Sequence, residues 1–184
     1  MKIKLKILEK EKAIMTCFLK IIITLVFVFF LYPAYTIDIY VPTDYGTIQA
    51  AIVAAQDGDT IIVDTGIYYE HIDFLGKAIT VTSTNPYDYN TVHATIITGD
   101  TSVEGDLVTF ANAEGINSRL LGFLLYRHYM QKYGHGIYCY GASPVIEGCY
   151  ITGNYATSYT KYYGGGIHCS NSSARIINCS IYNN

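Results

Sequence analysis

The fold of this chain is decided by two matching stretches, GHGIYC at residues 134–139 and GGGIHC at residues 164–169, which lie 30 residues apart. The same offset continues downstream and pairs Ser143 with Ser173, Ile146 with Ile176, Cys149 with Cys179, Ile151 with Ile181, and Asn154 with Asn184. A weaker copy, LLGFLL at 120–125, resembles IEGCYI at 146–151 with an offset of 26. Self-similarity at this period indicates a repeat architecture.

Each repeat holds short segments of alternating apolar and polar residues, separated by Gly, Ser, Asn and Pro. Alternation predicts strands and the separators predict sharp turns, and no stretch beyond Gly58 shows a helical period. A repeat of this kind predicts an all-β fold, a coil-by-coil parallel β-helix. Stacked strands lie about 4.8 Å apart, so identical positions form ladders. We expect an inward ladder of Ile137, Cys139, Ile146, Cys149 and Ile151, and an outward one of Tyr138, Tyr140, Glu147, Tyr150 and Thr152.

Asparagines 154 and 184 recur at one turn of the repeat. Asn tolerates the left-handed backbone and hydrogen-bonds locally, so we expect these two residues to stack there in a structural ladder.

The sequence predicts three segments in order along the chain. Residues 1–36 carry six Lys and two Glu, and the apolar run at 21–31 is followed by PAYT, a pattern typical of a cleaved export signal. Residues 37–58 form an N-terminal cap, with a helix over 47–56 capped by Thr47 and ended by Gly58. Residues 59–184 form about five coils, and we expect the chain to continue past Asn184.

Composition excludes several classes of function. Only 15% of the residues are charged and the net charge is −3, which excludes a nucleic-acid binder that works through a basic surface. The export signal predicts that the protein is secreted, extracellular or on the cell surface. It would meet a membrane only through an uncleaved signal.

Several motifs together resemble one family. TIQAAI at 47–52, DGDTIIV at 57–63 and GIYYE at 66–70 resemble the opening of secreted bacterial right-handed parallel β-helix proteins of the pectin-lyase-like superfamily. The stretch from residue 165 to 181 is similar to their repeat unit. The resemblance implies a right-handed helix with an N-terminal capping helix. It does not choose a function, because the superfamily includes lyases, esterases, hydrolases, adhesins and other surface proteins.

The four cysteines of the repeats, at 139, 149, 169 and 179, are spaced unlike a zinc site. Stacking would place Cys139 beside Cys169 and Cys149 beside Cys179, close enough for disulfides in an exported protein. The favoured alternative is a ladder of thiols that pack as small hydrophobes. Both alternatives stay open from the sequence.

Catalytic motifs are weak in this chain. The GHG at 134–136 is similar to that of polygalacturonases, but the other motifs that those enzymes need do not occur, and its glycines match a turn. The acidic residues do not gather in the repeats, and Asp57 and Asp59 flank a turn glycine. The basic residues are interpreted as solvated charges: Arg119, Arg127, Lys132, Lys161 and Arg175. We therefore expect no metal and no cofactor.

Tyrosine is the most unusual feature, with 19 residues and no tryptophan. Outward aromatic side chains can stack on sugars and donate hydrogen bonds, although tyrosine also suits half-buried strands. The candidate ligand-binding residues are Tyr138, Tyr140, Tyr150, His168 and Tyr182, with the variable turns at 126–133 and 155–163 as a second choice. The expected function is non-catalytic contact with an extracellular polysaccharide or a surface protein. The alternative is a polysaccharide lyase, esterase or hydrolase with its catalytic coils beyond residue 184, where Ca²⁺ would have a role.

Overall fold

The computed structural model describes residues 10–12, 14–23, 35–100, 105–127, 134–155 and 165–184. The chain divides into two units, Met1–Tyr35 and Thr36–Asn184. In the first unit, residues 10–12 and 14–23 are helical with exposed side chains, and most of the apolar run of the expected signal lies outside the described residues. Within the described ranges, no helix is both long and apolar enough to span a membrane.

The second unit is mostly β, and its strands form three parallel sheets. Sheet A contains β1 (Asp38–Val41), β2 (Thr60–Val63), β5 (Thr80–Ser83), β8 (Arg119–Leu121), β11 (Val145–Glu147) and β14 (Arg175–Ile177). Sheet B contains β3 (Gly66–Tyr68), β6 (Thr95–Ile97), β9 (Leu124–Tyr126), β12 (Tyr150–Thr152) and β15 (Ser180–Tyr182). Sheet C contains β4 (Ile72–Asp73), β7 (Val108–Phe110), β10 (Ile137–Tyr140) and β13 (Ile167–Ser170).

From β2 onward the chain enters sheets A, B and C in rotation, and we call one such passage a round. Each later strand pairs in parallel with its counterpart one round earlier. The register agrees with the repeat, since Ile146 lies opposite Ile176 and Ile151 lies opposite Ile181. The parallel stacking of the repeats is confirmed, and the mostly β arrangement is consistent with the expected all-β, solenoid-like fold.

The core lies between the three sheets. The residues expected to point inward are all fully buried: Ile137, Cys139, Ile146, Cys149 and Ile151. The final round behaves differently, because Ile176 and Ile181 occupy equivalent positions but are 45% and 47% exposed. The burial of an inward side chain therefore depends on the round stacked over it.

The turn from sheet A to sheet B uses two residues in the three rounds from β8 to β15. The first residue of the turn has a left-handed backbone conformation in each of these rounds: Gly122 (φ 68°), Gly148 (φ 62°) and Asn178 (φ 50°). Gly lacks the Cβ that penalises this backbone, and Asn tolerates it better than most residues. The turn chemistry thus explains why Gly and Asn recur at this point of the repeat.

Asn154 and Asn184 lie one above the other after sheet B. The Asn154 amide donates to the carbonyl oxygens of Leu125 and Thr152, at 3.1 Å each, and to Oδ1 of Asn184 at 3.0 Å. The left-handed backbone expected at these asparagines falls one residue earlier, at Gly153 (φ 67°) and Asn183 (φ 51°). The asparagine side chains instead satisfy the carbonyl groups at the strand ends.

The expected N-terminal helix is α1 (Ile48–Ala54), and the Thr47 hydroxyl accepts from the Ala50 N–H at 3.1 Å. Its apolar face is buried in the core. β1 was not anticipated from the sequence, and it precedes α1 and extends sheet A by one strand.

Two side chains from beyond α1 hold its ends. Glu70 accepts from the N–H groups of Ile48 and Gln49 at 3.0 and 2.9 Å. The Lys77 ammonium donates to the carbonyl oxygens of Ile52, Val53 and Ala55, at 2.7 Å each. A carboxylate at the N-terminus and an ammonium at the C-terminus both suit the helix dipole.

A second helix, α2 (Tyr89–Ala94), contradicts the expectation of no helix beyond Gly58. It lies in residues 84–94, which replace the two-residue turn between sheets A and B, and we call this segment the insertion. Asp88 caps α2 by accepting from the Thr91 N–H at 2.7 Å. Six residues are too few to show a helical period, so local capping and packing explain this helix.

Candidate binding surface

Three of the expected binding residues come together on the outer face of sheet C. Tyr138 of β10 lies opposite His168 of β13, with ring centroids 5.5 Å apart and planes at 16°. Tyr140 is nearly parallel to Tyr138, at 6.4 Å and 3°. His135 lies beside them, 4.9 Å from His168 and 5.8 Å from Tyr138. These four residues form a continuous surface, which we call the aromatic strip.

Asp106 fixes the first ring of the strip. Its Oδ1 lies 2.7 Å from both the backbone N and the imidazole Nδ1 of His135. Burial raises the pKa of Asp106, but hydrogen bonds from His135 and the charges of His135 and Arg127 outweigh burial and lower it overall. The carboxylate therefore stays ionised, and the His135 ring is held against Tyr138.

The sequence assigns the glycines beside His135 to a turn and assigns no role to the histidine itself, so its place in the strip was not predicted. Asp106 precedes His135 by 29 residues, which is close to the repeat length. Aligning the repeat with the round before it would therefore have placed Asp106 opposite His135.

Arg127 is buried, so the interpretation of this residue as a solvated charge was wrong. Its guanidinium donates to the carbonyl oxygens of Gly105 and His135. Burial lowers the pKa of the guanidinium overall, although the nearby Asp106 carboxylate acts in the opposite direction. Arg127 thus ties together the two backbone segments that lead into β7 and β10, behind the aromatic strip.

The other two expected residues lie on sheet B, away from the strip in the sheet order. Tyr150 packs with side chains of α2: its ring centroid is 4.2 Å from His93 and 5.9 Å from Tyr89. Tyr182 lies opposite Thr152 and is exposed. The five expected residues therefore divide between two surfaces.

The carboxylates near the cap serve the backbone. Asp59 accepts from the N–H groups of Ile37 and Gln56, and Asp57 accepts from that of Ala78. Buried Glu114 accepts from the N–H groups of Gly76 and Asn112. These contacts account for Asp57, Asp59 and Glu114 as local structural acceptors.

All four cysteines of the repeats are free thiols in this structure. Cys139 lies opposite Cys169 across β10 and β13. A hydrogen bond with the Cys149 thiol lowers the pKa of Cys179 to about 7, in spite of partial burial, whereas burial raises that of Cys149. The stacked thiols of Cys149 and Cys179 therefore differ in pKa, and Cys179 is the more acidic of the two.

Among the residues described, no group of three or more His, Cys, Asp or Glu side chains could hold a metal ion. The variable turns proposed as a second site, at 126–133 and 155–163, fall largely outside those residues. Comparison of the chain with family models, curated proteins and solved structures found no match.

Proposed function

We propose that this chain is a secreted or cell-surface protein that contacts a glycan, without catalysis, through its aromatic strip. The strip carries the proposal: four rings lie on or beside two paired strands, and neighbouring rings are close to parallel. Sugar rings present C–H faces that pack on aromatic side chains. Their hydroxyl groups hydrogen-bond to phenol and imidazole groups.

We further propose that the fold is a right-handed parallel β-helix similar to the pectin-lyase-like superfamily. The rotation of the chain through three parallel sheets supports this, because crossovers between parallel strands of one sheet are almost always right-handed. The motifs at 47–52, 57–63 and 66–70 support the likeness. The signal pattern over residues 1–36 supports export.

A glycan polymer suits the strip better than a compact protein partner. The rings of Tyr138 and His168 lie on adjacent stacked strands, 5.5 Å apart, so two successive units of a sugar chain can each meet a ring. Tyr140 is half exposed and therefore open to a ligand. The buried carboxylates of Asp59 and Glu114 are occupied by backbone N–H groups.

Affinity electrophoresis in gels that contain individual cell-wall polysaccharides tests this function. Wild type is expected to be retarded by at least one polysaccharide, and the double variant Tyr138→Ala/Tyr140→Ala to lose the retardation. Tyr182→Ala removes an exposed tyrosine from sheet B and serves as the matched control, with retardation unchanged. Equal retardation of wild type and the double variant would exclude the strip. Release of unsaturated products from a pectin-like polymer would favour the enzyme alternative.

A further inference from the structure

The insertion at residues 84–94 is seated on the turns of later rounds. Pro86 packs so closely on Gly122 that a Cβ at residue 122 would lie 2.3 Å from the Pro86 Cα. A Cβ at Gly148, one round later, would lie 3.1 Å from the Pro86 carbonyl oxygen. The insertion thus crosses the column of left-handed turns that Gly122, Gly148 and Asn178 form. A loop that rests on a rigid scaffold in this way is a common location for binding sites.

A cavity of about 190 Å³ lies between the insertion and these turns. Its lining includes Pro86, Tyr87, Asp88 and Tyr89 of the insertion together with Tyr150 and Asn178. Tyr89 is stacked on His93 at 3.8 Å and meets Tyr150 edge-on. The wall is therefore an aromatic cluster held by its own packing.

The rim combines exposed aromatic and polar groups. Tyr87 is 73% exposed and Tyr89 is 61% exposed, so both rings are open to a ligand. Asp88 of the insertion and Asn178 of the turn after β14 also line the cavity, and their side chains carry a carboxylate and an amide. Aromatic surface beside a carboxylate and an amide is the chemistry that recognises a sugar ring.

The charged groups near the cavity indicate whether it would bind a neutral or an acidic sugar. Hydrogen bonds from the backbone and hydroxyl of Thr91 lower the pKa of Asp88, which is therefore ionised. Tyr87 also points its hydroxyl to Glu147, 3.5 Å away, and Glu147 is paired with Arg119 at 3.0 Å. The Asp88 carboxylate repels acidic sugars and accepts hydrogen bonds from the hydroxyl groups of neutral ones, while the Glu147–Arg119 ion pair adds no net charge.

We infer that this cavity binds one neutral pyranose, with Tyr87 and Tyr89 against the ring and with Asp88 and Asn178 on its hydroxyl groups. The site is separate from the aromatic strip and does not depend on it. It would select an uncharged sugar unit and reject uronic acids.

Ligand-observed NMR and calorimetry with the whole chain test the inference. The probes are methyl glycosides of glucose, galactose and mannose, with galacturonic acid as the acidic probe and choline as a cationic one. At least one neutral glycoside is expected to bind, and galacturonic acid and choline are not. Absence of binding by all three glycosides would overturn the inference, as would choline as the only ligand or galacturonic acid binding as well as they do.

Three variants locate the site. Tyr87→Ala is expected to weaken neutral-sugar binding roughly tenfold, through loss of aromatic contact. Asn178→Gly keeps the left-handed turn, as glycine does at 122 and 148, and is expected to weaken binding roughly threefold to tenfold through loss of the amide. Asp88→Asn keeps the helix cap but removes the charge, so galacturonic acid should now bind.

Two controls separate this site from the strip. Tyr45→Ala removes an exposed tyrosine elsewhere and should leave binding unchanged. Tyr138→Ala/Tyr140→Ala should also leave binding of the single sugar unchanged, even if it abolishes retardation by polysaccharide. Full binding in a Tyr87→Ala/Asn178→Gly double variant would contradict the assignment, whatever the strip variant does.

Discussion

The two aromatic surfaces are held together in different ways. In the strip, Tyr138 meets His168 because the repeat places them opposite each other on paired strands. In the cavity, Tyr89 meets Tyr150 because an insertion bends across several rounds and rests on Gly122. A surface built by a repeat is stabilised by many equivalent contacts, so the loss of one contact has a limited effect. A surface built by an insertion is stabilised at a few positions, so the loss of one of them has a large effect.

The largest effect is expected where the insertion is seated. Gly122→Ala combines a left-handed backbone with a severe clash against Pro86, and should lower the free energy of unfolding by about 3–4 kcal/mol. Gly141→Ala is the matched control, because Gly141 is also left-handed (φ 60°) but has open space around it. It should cost about 1 kcal/mol. Urea unfolding measures both, and equal costs would show that the insertion is not seated on Gly122.

A somewhat smaller effect is expected within the repeat itself. Asn154→Ala leaves the buried carbonyl oxygens of Leu125 and Thr152 without their donor, and should cost about 2–3 kcal/mol. Asn184→Ala removes the same side chain from the exposed final round and should cost about 1 kcal/mol. The comparison uses the same urea titration. A larger cost at residue 184 than at 154 would contradict the role given to burial.

Asp106 should make stability depend on acidity. Its pKa is lowered in the folded state, so its contribution is present above the unfolded value of about 4 and is lost as the pH falls through the lower folded value. Asp106→Asn should cost about 1 kcal/mol at neutral pH and flatten the decline in Tm below pH 4. Thermal melts from pH 6 to pH 2.5 measure this. An unchanged acid profile in the variant would exclude the His135 contact as its source.

The smallest effect concerns thiol reactivity. Cys179, with its pKa of about 7, should react with iodoacetamide at neutral pH faster than Cys149, which is fully buried and has a raised pKa. Cys149→Ala removes the hydrogen-bond donor and should slow the labelling of Cys179 severalfold.

Thiol titration of the denatured, unreduced protein checks the redox state that this prediction assumes. It should find all four repeat cysteines free, and a shortfall of two or four thiols would indicate the disulfide alternative.

The features that could be predicted from the sequence are mostly those that the 30-residue repeat specifies. The offset of 30 specifies which residues are neighbours across β10 and β13, so the contact of Tyr138 with His168 was foreseeable, as was the burial of Ile146 and Ile151. The capping helix was foreseeable from Thr47 and the apolar spacing that follows it.

The parts of the fold and site that the sequence did not predict depend on features that are not repeated from round to round. The insertion has no counterpart in other rounds, so nothing in the repeat indicates α2 or the cavity beside Tyr150. Arg127 looked like a surface charge because its partners are backbone carbonyl oxygens, which carry no sequence signal. His135 joined the strip only through Asp106 of the preceding round.

The most direct test of the proposed function is a ring-resolved NMR titration. Tyrosine and histidine rings of the whole chain are isotope-labelled and titrated with fragments of the polysaccharide that retards the protein. The signals of Tyr138, Tyr140 and His168 should shift together with one saturation curve, and Tyr182 should stay in place. Shifts confined to residues outside the strip, or no shift of the three strip residues at saturation, would contradict glycan contact by this surface.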